Sequence, residues 1–220
     1  MKINKRLLAI SKYIDDFSNI IDVGCDHALL CIYLEKNKKG IKSLASDVNK
    51  GPLEQAKKNL KLYKTKNIKL KLGDGISTIE DYTDVVIISG MGGNSMVDIL
   101  YNDIDKLNNI KRIVLSPNNE FYNVRKMINN IGYNIICEEV ICANNKFYPI
   151  IVFEKGNLKY NENELKYGIN VLKNEDYVKY LNDLIIKYEN IIKKLPDKFT
   201  IKKEEISKSI KYIYDILNDM

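Results

Sequence analysis

The stretch Ile20-Ile21-Asp22-Val23-Gly24-Cys25-Asp26-His27-Ala28 sets the fold class of this 220-residue chain. It reads as a buried strand, Asn19 to Val23, that stops at a glycine turn. Such a glycine lets the backbone bend tightly and lets a ligand approach main-chain N–H groups. The next apolar run, Ile41 to Ser46, ends in Asp47, 23 positions after Gly24. A glycine turn after one parallel strand and an acid after the next are how a doubly wound α/β sheet holds an adenosine, the acid accepting both ribose hydroxyls. A dinucleotide fingerprint would need G-x-G-x-x-G, and here the second and third glycine positions are Asp26 and Leu29. A carboxylate where a pyrophosphate should rest is repulsive by roughly 4 kcal/mol at ~4 Å and an effective dielectric of ~20. A nucleotide-dependent oxidoreductase is therefore disfavoured.

Working outward, residues 1–155 alternate strand and helix patterns in the βαβ manner. Helices are predicted over Arg6–Tyr13, Ala28–Glu35, Gly51–Tyr63, Asn94–Tyr101 and Phe121–Ile131. Strands are predicted at Lys42–Ser46, Ile68–Leu72, Asp84–Ser89 and Arg112–Leu115. The β-branched run Val85-Val86-Ile87-Ile88 suits burial on both faces. Two last strands, Tyr133–Val140 and Tyr148–Glu154, are joined by a turn at Ala143-Asn144-Asn145. After Gly156 the texture changes. Val178, Leu181, Ile185, Tyr188, Ile192 and Leu195 step by threes and fours, a heptad seam that Asn174 can cap and Pro196 breaks. Thr200 can cap a second helix carrying Ile206, Ile210, Ile213 and Leu217. Residues 156–220 are thus expected to form a helical coiled-coil hairpin, with Ile169 and Leu172 on a shorter helix leading into it.

The acids at the strand ends favour a cationic ligand. S-adenosylmethionine carries an ammonium and a sulfonium and has no phosphate. Asp22 and Asp26 can attract either charge, although Asp22 could equally cap a loop and Asp26 the helix after it. Cofactor contacts are expected from Asp22, Gly24, Cys25, Asp26 and His27 at the first turn and from Asp47 and Val48 at the second. Asp74 and Gly75 follow at the third, where Asp74 could take the adenine amino group or form a D-G turn. His27, the only histidine, is open to a role as base or to packing. Ser89-Gly90-Met91-Gly92-Gly93 ends the fourth strand, and Gly90 and Met91 should floor the pocket where acceptor meets methyl group. Ser116-Pro117-Asn118-Asn119 ends the fifth, with amides able to donate to and accept from a base edge.

Composition bounds the setting. The net charge is +6, yet residues 156–220 hold 12 lysines against 11 acids, so the excess lies in the first part. There Lys57, Lys58, Lys61, Lys64, Lys66, Lys69 and Lys71 run with no acid between Glu54 and Asp74. Such a run is either a solvated face or the electrostatic footprint of a polyanion. Cys25, Cys31, Cys137 and Cys142 lack C-x-x-C spacing and resemble buried hydrophobes, so neither a metal site nor a disulfide framework is expected. No signal-peptide core and no span-length apolar run is present. A cytoplasmic, membrane-free protein is expected, as a monomer unless the seam pairs between chains.

Five motifs together carry a resemblance. Asp-Val-Gly-Cys-Asp-His-Ala (22–28), Ala-Ser-Asp-Val-Asn-Lys-Gly-Pro-Leu (45–53), Leu-Gly-Asp-Gly (72–75), Ser-Gly-Met-Gly-Gly (89–93) and Ser-Pro-Asn-Asn (116–119) occur in that order. The chain resembles the bacterial tRNA (adenine-22-N1)-methyltransferase family across these motifs and in its helical tail. The resemblance implies a Rossmann-like class I methyltransferase fold, S-adenosylmethionine as donor and N1 of a tRNA adenine as acceptor. On that reading Asp26 stabilises the charge that develops on the base, Met91 and Asn118 line the base pocket, and the lysine run and hairpin grip tRNA. A methyltransferase for a small molecule or a protein, or a non-catalytic binding module with a coiled-coil partner site, would share the cofactor half.

Overall fold

The computed structural model describes residues 1 and 3–220. Seven strands form one sheet: β1 Asn19–Val23, β2 Lys42–Asp47, β3 Ile68–Leu72, β4 Val85–Ser89, β5 Arg112–Ser116, β6 Tyr133–Ala143 and β7 Lys146–Lys155. Their order is β3-β2-β1-β4-β5-β7-β6. The four pairings among β1 to β5 are parallel, and β7 runs antiparallel to both β5 and β6. The chain therefore leaves β1 in one direction and returns on its other side at β4, and the strand ends separate there into a crevice.

Alternation along the strands sorts side chains onto two faces. Ile21, Val23, Val86 and Ile88 join one core beneath α4 (Gly93–Asn102) and α5 (Phe121–Asn130). Ile20, Val85 and Ile87 join the other, beneath α1 (Lys5–Ser11), α2 (Leu29–Asn37) and α3 (Lys50–Leu62). Asp22 shares the face of Ile20, so its carboxyl is buried under α2. The turn between β6 and β7 is made by Asn144 and Asn145, at φ 51 and 57, the left-handed pair that a two-residue hairpin requires.

The tail is α6 (Glu162–Tyr167), α7 (Glu175–Lys194) and α8 (Thr200–Asn218). Asn174 caps α7 by accepting from the Tyr177 N–H, and the chain leaves the helix before Pro196. Thr200 is not a cap: α8 starts on it, after Phe199, with no side-chain cap bond. Ile169 and Leu172 are not helical either. The Glu138 backbone donates to Asn170 and accepts from Leu172, so this segment lies against β6 as an added bridge. The helices fold back on each other. Tyr177, Leu181, Ile185 and Ile213 are buried with Val140 of β6, while Ile201 at the far end is exposed.

A buried clasp joins tail to sheet. Arg125 on α5 donates two bonds, at 3.0 and 2.8 Å, to the two Glu138 carboxylate oxygens. It also donates to the carbonyls of Leu165 and Lys166 in α6, and Glu138 accepts from the Ile169 N–H. Among the described residues no helix is long and apolar enough to cross a membrane, and no group of three or more His, Cys, Asp or Glu could hold a metal ion.

Candidate active site

The strand ends of β1 to β4 open into a cleft of about 440 Å³, lined by Gly24, Asp26, Asp47, Val48, Asp74, Gly75, Gly90 and Met91 among others. A smaller inner compartment of about 100 Å³ adjoins it, lined by Asp22, Cys25 and His27 and sharing Arg6, Gly24, Asp26 and Ser89 with the outer one. All eleven residues expected to contact a cofactor thus border one or other of these two adjoining compartments. A larger hollow lies at the opposite strand ends, around Asp15, Asp84 and Arg112. Arg112 already pairs there with Asp15 and Glu154.

Local geometry explains the lining. Gly24 sits at φ +68, and a Cβ on it would lie 2.2 Å from the Met91 Cε. Its role is clearance, because the N–H groups of Gly24 and Cys25 both donate to the Ser46 carbonyl and are not free for a ligand. Asp26 follows at φ 49 with its side chain 75% exposed, 3.3 Å from His27 Nε2. It does not cap α2, which starts after Ala28 without a side-chain cap. Asp47 is the last residue of β2 rather than the first after it. Its Oδ1 accepts from the Asn49 N–H at 2.8 Å, which fixes the carboxylate and leaves the second oxygen for a ligand. Val48 beside it is 63% exposed, an apolar surface with no protein cover.

Asp22 is the electrostatic centre of the inner compartment. Burial pushes its carboxyl up to about 7; the Cys31 thiol opposes this by hydrogen bonding, and the Asp26 and Asp47 charges add to it. Burial also raises the Cys25 thiol, so Cys25 packs as a neutral hydrophobe.

Beyond the ends of β4 and β5, Asn118 donates from Nδ2 to the Gly90 carbonyl at 2.7 Å, and its backbone N–H donates to the Met91 carbonyl at 2.9 Å. Asn119 is committed elsewhere: its Oδ1 accepts from the Gly93 N–H and caps α4. Neither amide lines the cleft itself; Asn118 stands behind its wall, bonded to the lining residues Gly90 and Arg6. The sequence reading did not include Arg6, which reaches the cleft from α1 and donates to Asn118 Oδ1 at 3.1 Å. No sequence signal marks it beyond a basic residue near a helix start.

The seven lysines from Lys57 to Lys71 are all exposed and form no part of the cleft. They follow α3, the loop after it and the edge strand β3, so Lys64 and Lys66 lie at the end of β3 opposite the cleft. Lys69 pairs with Glu80 at 3.0 Å, and Lys71 donates to the Thr78 carbonyl.

The cleft suits a donor with an adenosine half and a positive centre, since glycine clearance, a fixed carboxylate and an anionic inner wall converge there. Comparison with known proteins decides the family. Residues 3–151 match the family model of a methyltransferase domain. The tRNA (adenine(22)-N(1))-methyltransferase of Bacillus subtilis is 31% identical over 159 residues, covering 71% of this chain and 67% of that protein. The chain belongs to this methyltransferase family. Two solved structures of similar shape bear on the tail as well as the sheet. Streptococcus pneumoniae Sp1610, proposed to be a tRNA (m1A22) methyltransferase, superposes with a TM-score of 0.89 at 28% identity over 98% of this chain and 100% of its own. TrmK of M. capricolum in complex with S-adenosylhomocysteine gives 0.84 at 28% identity over 99% of each chain. The tRNA (adenine(22)-N1)-methyltransferase family thus matches this chain beyond the sheet and through the hairpin.

Proposed function

We propose that this chain methylates N1 of adenine 22 in tRNA, with S-adenosylmethionine as donor. The observation that carries the reading is the set of acids on three successive strand ends around one cleft, Asp26, Asp47 and Asp74, in a chain of this family. Bound there, the donor supplies a methyl group already activated by its sulfonium.

The chain's own residues do the rest. The free oxygen of Asp47 takes the ribose hydroxyls, Val48 covers the adenine face and Asp74 receives the adenine amino group. Asp22 and Asp26 hold the positive end. Adenine N1 has a lone pair and needs no prior deprotonation, so the main requirement is alignment, worth several kcal/mol. Asn118, held by Gly90 and Arg6, and Met91 form the wall against which the base is placed. The methylated base is cationic, and the exposed Asp26 carboxylate offsets that charge.

The target base must leave its stack to reach the cleft. Residues 1–155 form the catalytic part and residues 156–220 an RNA-contacting part. The lysine run on the β3 edge and Lys193, Lys194, Lys198 and Lys202 near the hairpin turn grip phosphates on either flank. Such an enzyme works in the cytoplasm, on tRNA.

The test is transfer of labelled methyl from S-adenosylmethionine to tRNA by the purified protein, followed by mapping of the modified nucleotide. Label on N1 of adenine 22, lost when that base is replaced, is the expected result. Label at another position, or on protein or small molecules alone, refutes it.

A further inference from the structure

The hairpin is held at a set angle to the sheet by directional bonds. The segment between α6 and α7 runs along the outer edge of β6 and meets it at every second residue. The Glu138 carbonyl accepts from the Leu172 N–H, the Val140 carbonyl accepts from the Asn174 side chain, and the Cys142 N–H donates to Asp176 in the first turn of α7. Lys5 on α1, next to the cleft residue Arg6, donates to the same Asp176 carboxylate. Within this seam the Arg125 and Glu138 side chains are 2% and 0% exposed. Gly168 makes room for them: a Cβ on it would lie 3.4 Å from a Glu138 carboxylate oxygen and 2.4 Å from Val171.

A buried ion pair is a weak source of stability, because desolvating both charges offsets most of their attraction. Adhesion already has an apolar source here, since Val124, Ile128, Leu165 and Ile169 share one core. Apolar contact is non-directional, whereas a guanidinium fork on a carboxylate fixes orientation. The fork bears on the acceptor side of the cleft through α5, which starts at Phe121 just after Asn118, Asn119 and Glu120. That connection has no slack. A Cβ on Gly93 would lie 2.6 Å from the Asn119 carbonyl, and Asn118 is bonded to Gly90 and Arg6. The hairpin's length makes the angle count. α7 has 20 residues, roughly 30 Å of helix. A tilt of about 7° at its base moves the far end by roughly 3.5 Å, about one base step along a strand.

We infer that Arg125 and Glu138 are a positioning pair for methyl transfer: they fix the hairpin's angle to the cleft, and so select which adenine of a bound RNA comes into register with the donor. This rests on the RNA-contacting role given to the tail above. Neither residue lines the cleft. Both act through other elements, Arg125 through α5 and Glu138 through the segment after α6. The lysines near the hairpin turn supply the grip, and the clasp sets the distance from the cleft at which that grip holds the strand.

The test uses the full chain as wild type, as Arg125→Lys, which keeps the charge and loses the fork, and as Glu138→Gln, which keeps an acceptor for the Ile169 N–H and loses the charge. The substrate is a tRNA transcript with adenines on both sides of position 22. In both variants the single-turnover rate at saturating tRNA should fall roughly 10- to 100-fold, as a misplacement of about 1 Å would cause. Nucleotide mapping should show label spread onto the flanking adenines. Affinity for S-adenosylhomocysteine should stay within about twofold, because the nucleoside contacts are untouched. A slower rate with all label still on one adenine would overturn the selection and so the inference. Lost tRNA affinity with an unchanged rate at saturation would overturn it in favour of grip without register. A loss of S-adenosylhomocysteine affinity as large as the loss of rate would overturn it in favour of general damage to the sheet. Failure of both variants to fold would make the pair a device of stability alone and overturn it too. If the wild type transfers no methyl to tRNA, the proposed function falls and this inference with it; wild-type transfer that both variants match in rate and position sinks this inference alone.

Discussion

Asp22 is held at a cost in stability, and that cost can be measured. Its carboxyl is 4% exposed, under α2, with a weak thiol donor as its assigned partner. It titrates near 7 in the folded chain against 3.8 for an ordinary aspartate. A folded-state value above the unfolded one means that the native protein holds the proton longer, so folding becomes less favourable as pH rises between the two. Integrated from about pH 5 to about pH 8, this comes to roughly 2.5 kcal/mol against the native state. Asp22→Asn removes the titration. The Asn N–H gains no obvious acceptor, which costs ~1–3 kcal/mol at every pH, but this cancels when two pH values are compared. Urea unfolding of both proteins at each pH gives the answer. The stability of the variant relative to wild type should improve by roughly 2.5 kcal/mol from about pH 5 to about pH 8, while S-adenosylhomocysteine binding is weakened throughout. A relative stability that stays flat, or moves the other way, would refute the claim that this acid is buried for its ligand at the expense of the fold.

Three further outcomes follow from the geometry. Arg125→Met leaves Glu138 buried without its partner and should cost about 3–5 kcal/mol; hydrogen exchange at the Ile169 and Leu172 amides should accelerate first, because those bonds end on Glu138. Replacing Lys57, Lys58 and Lys61 together by Glu should weaken tRNA binding, flatten its salt slope by ~0.7–0.9 per lost phosphate contact and leave S-adenosylhomocysteine affinity alone; an unchanged slope would mark this face as merely solvated. Asp26→Asn should lower turnover by about 10- to 100-fold, with the larger part of the loss in the methyl-transfer step rather than in tRNA KM, as rapid-quench measurements would show.

The order of strands and helices, the glycine turn after β1 and the acids at the strand ends were legible because each is a local pattern. Val85 to Ile88 announce a strand buried on both sides through their own side chains, and the eleven residues read as cofactor contacts border the cleft or the compartment beside it. Caps and short tail segments were less legible. Thr200 begins α8 without capping it, Asn119 is spent on α4, and residues 169–172 lie along β6 because Glu138 binds their backbone. Arg6 was invisible in sequence, since its partner Asn118 lies 112 positions away. Periodicity and strand-end chemistry act between neighbours in the chain, and so the sequence alone determined the doubly wound sheet, the nucleoside edge and the choice of a cationic donor over a dinucleotide. Only the packing of α1 over the cleft decided which cation faces those acids, and only the folding of the tail against β6 decided where the hairpin stands. Both depend on contacts between segments far apart in the chain, which no local pattern encodes.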